Sequence, residues 1–257
     1  MIIPISFVLA LGLAAGDTVR APSSIPHEKG SIVVSEAGVH VGGGRRWVAE
    51  WTMEPTREKE SPAVRFTEVG HGRYSPYALP ISWSLVAVWT ADSEFRPLRS
   101  EKTITDENGH TIATERKTFD QVAGTVHFER TRAGHRPETK QLSIPPDTLT
   151  VEGIAGILQF LPFENWRPFT AHMLTNDPQL YKITFELRGK ERVRTSAGEF
   201  EAYKIELVPQ LGALSVFRPF LRKAYFWFST AAPHAWLRYE GPENGQGTPQ
   251  VVMEPQN

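Results

Sequence analysis

Between Tyr181 and Tyr239 the chain alternates polar and apolar residues around a short turn, Ser196-Ala197-Gly198-Glu199. Successive side chains of a strand point to opposite faces, so this period of two marks half-buried β-strands. Tyr181, Ile183, Phe185 and Leu187 fall on one face, with Lys182, Thr184, Glu186 and Arg188 on the other. Beyond the turn, Tyr203, Ile205 and Leu207 share a face against Lys204 and Glu206. Gly198 takes positive φ at little cost, as a tight connection requires. The reading is an antiparallel hairpin with one wet and one dry side.

The pattern recurs upstream. Trp47, Ala49, Trp51 and Met53 alternate with Arg46, Val48, Glu50 and Thr52, and Ile81, Trp83, Leu85, Ala87 and Trp89 share one face. Asn108-Gly109, between 102–105 and 111–114, is a hairpin signal because both residues tolerate the left-handed region. Val126 and Phe128 head a strand ending near Gly134. On the order of ten to thirteen strands are expected. One segment differs: Val151, Ile154, Leu158 and Leu161 are spaced for a helix over 147–161, capped by Asp147 or Thr148 and stopped by Pro162. It is expected to cover an edge or end of the sheet. The charged, proline-bearing run Glu54 to Pro62 reads as a long loop. The fold class is therefore mainly β: an antiparallel meander forming a half-open barrel or two packed sheets, with one covering helix near 147–161.

A chain of 257 residues with 40% hydrophobic content and no cysteine must rely on its core for stability. A net charge of −1 gives no global attraction to nucleic acid or to an anionic membrane. Residues 1–16 are uncharged and apolar and end in small residues, which reads as a signal peptide too short for a permanent span. An exported protein follows, periplasmic or secreted. Residues 17–39 are expected to be poorly ordered or an edge strand, 40–254 a single β-rich domain and 255–257 a tail.

No catalytic constellation stands out. There is no G-x-S-x-G and no cysteine, and the eight histidines are scattered rather than spaced as metal ligands. Asp106-Glu107-Asn108-Gly109 places glycine at position four and Lys117 at position twelve, so it reads as a turn and not a calcium loop. The glycine run after Val41 lacks the Lys-Ser/Thr of a phosphate loop. Arg188, Lys190, Arg192 and Arg194 would form one basic stripe on a continuous strand, unless Gly189 breaks it. The apolar run 211–221 reads as a loop or short helix closing the core, or as a lid. Trp83, Trp89, Trp166 and Trp227 are the candidates for lining an apolar cavity. No catalytic residue, metal or cofactor is expected. The reading is a non-catalytic envelope protein that binds a hydrophobic or amphipathic molecule or a partner protein. The alternatives are a hydrolase using scattered groups such as His127 with Glu129, and a purely structural assembly module.

Five motifs occur in a telling order: E-R-K-T-F-D at 115–120, P-P-D-T-L-T-V-E-G-I-A-G-I-L-Q-F-L-P at 145–162, R-V-R-T-S-A-G-E-F-E-A-Y-K-I-E-L at 192–207, Y-F-W-F-S at 225–229 and W-L-R-Y-E-G at 236–241. In that order, over residues 40 to 254, the chain resembles the bacterial family catalogued as domain of unknown function 3108. The resemblance implies an exported, β-rich protein and supplies no catalytic residues.

Overall fold

The computed structural model describes residues 27–38, 44–92, 94–212, 221–245 and 247–256. The signal-like residues 1–16, residues 17–26 of the N-terminal segment, Gly42 and Gly43 of the glycine run and most of the apolar run 211–221 lie outside them. Eight strands come first: β1 (Glu28–Glu36), β2 (Arg45–Glu58), β3 (Ser61–Gly72), β4 (Ile81–Thr90), β5 (Pro97–Thr105), β6 (Thr111–Asp120), β7 (Thr125–Arg132) and β8 (Glu138–Ser143). Seven follow: β9 (Thr148–Thr150), β10 (Phe169–Leu174), β11 (Leu180–Thr195), β12 (Gly198–Pro209), β13 (Ala224–Ser229), β14 (Trp236–Pro242) and β15 (Gln250–Gln256). Between β9 and β10 lie a short helix α1 (Ile154–Leu158) and a 3₁₀ turn (Phe163–Asn165).

All fifteen strands form one sheet, ordered β8 down to β1, then β15 down to β9. Two meanders thus meet where the first strand pairs with the last, and every neighbour is antiparallel except β9 with β10. The stretch 17–39 contains β1, which has partners on both sides, and β15 runs through Gln256.

The sheet curls so that one face folds over onto itself. Phe66, Leu85 and Trp89 of one meander share a hydrophobic cluster with Phe185, Ile205 and Phe226 of the other. Ile157 and Leu158 of α1 are buried in that cluster, and each large side chain so buried contributes about 1.5–3 kcal/mol. A second cluster on the same face holds Trp47, Trp83, Ile104 and Val251, and Trp51, Trp236 and Tyr239 pack against both. The two meanders are fastened by side chains: Trp89 Nε1 donates to Thr150 Oγ1 (3.4 Å) and Arg130 Nη1 to Asp177 Oδ1 (3.2 Å).

Three expectations are corrected. The strands number fifteen, beyond the expected ten to thirteen. The helix spans only Ile154–Leu158, because Thr148-Leu149-Thr150 pairs with β10 as a strand and Gly153, at φ 64°, sits immediately before the helical turn. The long loop at Glu54 to Pro62 is instead strand on both sides of a two-residue turn, Lys59-Glu60, at φ 46° and 67°. Pro55 fits there because β1 begins opposite Met53, so that among the described residues β2 has no partner on that side beyond this point. For the basic stripe, the break at Gly189 is the alternative that holds: a bulge between Leu187 and Gly189 splits it. Arg188 bonds Glu206 on the outer face (2.7 Å), whereas Lys190 pairs with core-facing Tyr203 and lies over its ring.

Candidate functional site

Alternation places every second residue of β2 to β8 on the inward face, and registers then align them across the sheet. One such transverse row reads Trp51, Glu68, Leu85, Lys102, Glu115, Arg130, Glu138, one residue from each strand in turn. Five of the seven carry charge. The row runs along the seam between the two hydrophobic clusters, since Leu85 belongs to one and Trp83, two residues back on β4, to the other.

Lys102 lies at its centre. The residue is 9% exposed, and its ammonium rests 4.3 Å from the ring centroid of Tyr74 and 5.6 Å from that of Trp83. Among the described residues no carboxylate lies within 4.0 Å of it and none accepts its hydrogen bonds. An ammonium has three protons to donate, and aromatic faces satisfy only its charge. On the neighbouring strands, Glu68 accepts the Trp83 indole N–H at 2.7 Å. Burial pushes the Glu68 carboxyl up from its ordinary range, against the pull of Trp83 and Lys102. Burial likewise raises the Tyr74 phenol, and the charges of Glu68 and Glu243 add to it, so the ring stays protonated. Here the face offers an ammonium, a carboxyl raised from its ordinary range and a neutral phenol beside an indole wall.

The remaining charges are paired. Arg130 donates to Glu115 (2.9 Å), to Asp177 and to the Asn176 carbonyl (3.1 Å). One row over, Lys117 forms a buried ion pair with Glu152, whose Oε1 also accepts from Ser100 Oγ; its Oε2 has no partner among the described residues. A clasp closes one end of the face. Glu243 accepts from Arg46 Nε (2.8 Å), Trp47 Nε1 (2.9 Å) and Ser75 N (2.9 Å). Burial alone would raise the Glu243 carboxyl; the Arg46 guanidinium and the Ser75 donors hold it below its ordinary range. Asn244 and Asn176 join this clasp to the β10–β11 turn (2.8 Å).

Of the tryptophans singled out from sequence, Trp89 and Trp166 share the first cluster and Trp83 lies in the second. Trp227 is on the outer face in a separate cluster, where its indole donates to Glu191 (2.8 Å) beneath Lys204 and Arg238. His127 and Glu129 do meet, at 3.1 Å, on the solvent side of β7. Among the described residues no three His, Cys, Asp or Glu side chains gather as a metal site. In the Asn-Gly turn, Asp106 Oδ1 is occupied by the N–H groups of Asn108 and His110.

Sequence reasoning missed the charged row although its signal was present. Ile104, Phe119 and Phe128 fix the inward register, and stepping two residues from each lands on Lys102, Lys117 and Arg130. A charge at an inward position is the informative departure from alternation.

The profile of the family described as "Protein of unknown function (DUF3108)" matches residues 37–245. A crystal structure of a protein with a YmcC-like fold from Bacteroides fragilis NCTC 9343 is similar at 9% identity, covering 93% of this chain and 97% of that one, with a TM-score of 0.34. So loose a superposition carries no argument. No curated protein matches the chain significantly.

Proposed function

The chain belongs to this family of unknown function, and from that premise we propose that it is an exported, non-catalytic binding protein whose inward face holds an amphipathic molecule. The single observation behind this reading is Lys102, a residue only 9% exposed whose ammonium rests on aromatic faces and has no protein hydrogen-bond acceptor among the described residues. Its three donors have no acceptor among those residues, only aromatic faces for the charge. A polar ligand group at Lys102 would supply that acceptor, with Trp83 and Tyr74 as its walls and the two apolar clusters on either side. The non-catalytic part is supported by the other carboxylates of the face, Glu115 and Glu152, which are tied to Arg130 and Lys117. Export rests on the apolar residues 1–16. A half-open barrel describes the proposed form of the curled sheet.

Native mass spectrometry of the protein purified from its own envelope tests this reading. An amphipathic adduct is expected on the wild type and absent from Lys102→Met. Its binding should also quench Trp83 fluorescence, measured against Trp83→Phe. Adduct-free wild-type protein, or an adduct equally abundant on Lys102→Met, sinks the proposal.

A further inference from the structure

At the free edge of the same face, the turn between β7 and β8 borders a half-open cleft of about 170 Å³ lined by Arg130, Arg132, His135, Arg136 and Glu138. That is an order of magnitude more than the roughly 10–15 Å³ one water needs. The charges there divide into two kinds. Arg130 is already neutralised by Glu115 and Asp177, with Glu138 at 3.8 Å, and is stacked over Phe128, so it forms a fixed wall. Arg132 and Arg136 have no carboxylate within 4.0 Å among the described residues. Two uncompensated guanidiniums therefore open on one cleft. The backbone helps hold them there, since the His135 N–H bonds the Arg132 carbonyl at 3.0 Å and keeps the turn closed.

We infer that this cleft is an anion site for a phosphate group, carried as a dianion and gripped by Arg132 and Arg136. A guanidinium presents two parallel N–H donors that match the oxygens of a phosphate, and it binds in this bidentate way where lysine offers a point charge. Two such forks match a dianion in charge, whereas a single carboxylate leaves one of them unanswered. Glu138 on the remaining wall repels an anion that overruns the cleft, which limits the group to phosphate size. Lys102 plays no part in this site, so it stands whether or not the inward face holds a ligand.

Phosphate comes free or on a lipid headgroup, and the test has an arm for each. In the first arm the folded full chain is titrated by calorimetry at low salt with inorganic phosphate and with acetate. In the second, vesicles of phosphatidylcholine with and without phosphatidic acid are floated with the protein. Saturable binding to phosphate or to the phosphatidic acid vesicles, stronger than to acetate or neutral vesicles, is expected. Arg132→Gln/Arg136→Gln should weaken it at least tenfold. Both side chains are exposed, so this variant should keep its fold, checked by circular dichroism. Arg132→Lys/Arg136→Lys, which keeps charge but loses the fork, should lie in between. Arg57→Gln, at the exposed β2–β3 turn, should match wild type. Binding in neither arm, equal affinity for acetate, or wild-type affinity in the Arg132→Gln/Arg136→Gln variant overturns the inference.

Discussion

Replacing Lys117 with methionine should damage this protein more than any change to a surface charge. The Lys117 and Glu152 side chains are 2% and 7% exposed, so methionine leaves Glu152 as a carboxylate inside the core. Breaking a buried pair from one side costs about 3–5 kcal/mol. Exposed pairs such as Arg57–Glu60 are worth about 0–1 kcal/mol. At a cost of 3–5 kcal/mol, Tm falls by roughly 6–20 °C for a domain of this size. The second half of the argument concerns the pair as a unit. Glu152 Oε2 has no partner among the described residues, so the wild-type pair is incompletely compensated for leaving water. Removing both charges, in Lys117→Met/Glu152→Leu, should return stability to within about 1 kcal/mol of wild type or above it. Urea unfolding of the four proteins gives the coupling energy, expected at about 5 kcal/mol or more when each single change costs about 3–5 kcal/mol and the double lies within about 1 kcal/mol of wild type. The reasoning fails if Lys117→Met costs less than about 1 kcal/mol, or if the double variant is worse than the single one.

Glu68→Gln tests the raised carboxyl. Protonated Glu68 favours the folded state, so its contribution is complete below the unfolded carboxylate range and is lost as pH rises through the folded value. Relative to wild type, Glu68→Gln should therefore gain stability between pH 4 and pH 8 in urea melts; a flat difference contradicts the shift. Glu243→Gln runs the other way. Its depressed carboxyl stabilises above the unfolded range and loses that contribution as pH falls through the folded value. The variant should cost about 1.5–3 kcal/mol at pH 7 and approach wild type in acid, followed by thermal melts across that range. Gly70→Ala would place a Cβ 2.2 Å from Trp83 Cζ2, forcing the indole off its strand. A loss of about 1–3 kcal/mol with an altered near-UV signal is expected, and an unchanged Trp83 spectrum would contradict that packing.

Alternation alone carried much of the fold. The inward sets on β2, β4, β11 and β12 followed from the period of two, which is a local property of extended backbone. The turns at Asn108-Gly109 and Gly198 were legible for the same reason. The helix was not, because Thr148 to Thr150 satisfies a helical spacing as well as a strand, and only pairing with β10 decided between them. Likewise Glu54 to Pro62 looks like a loop by composition, yet a strand tolerates charge wherever its face meets water.

The candidate site depended on something alternation does not contain. Sequence set which face each residue takes on its own strand, since that is fixed by the backbone between neighbours. It could not set which residue lies opposite on the next strand, because register comes from turn length and bulges. Only tertiary structure placed Glu68, Lys102, Glu115 and Arg130 in one row, 62 positions apart from first to last, and curled that row against Tyr74 and Asp177. Electrostatics acts across space and not along the chain, so a site made of charges appears only when the strands are assembled.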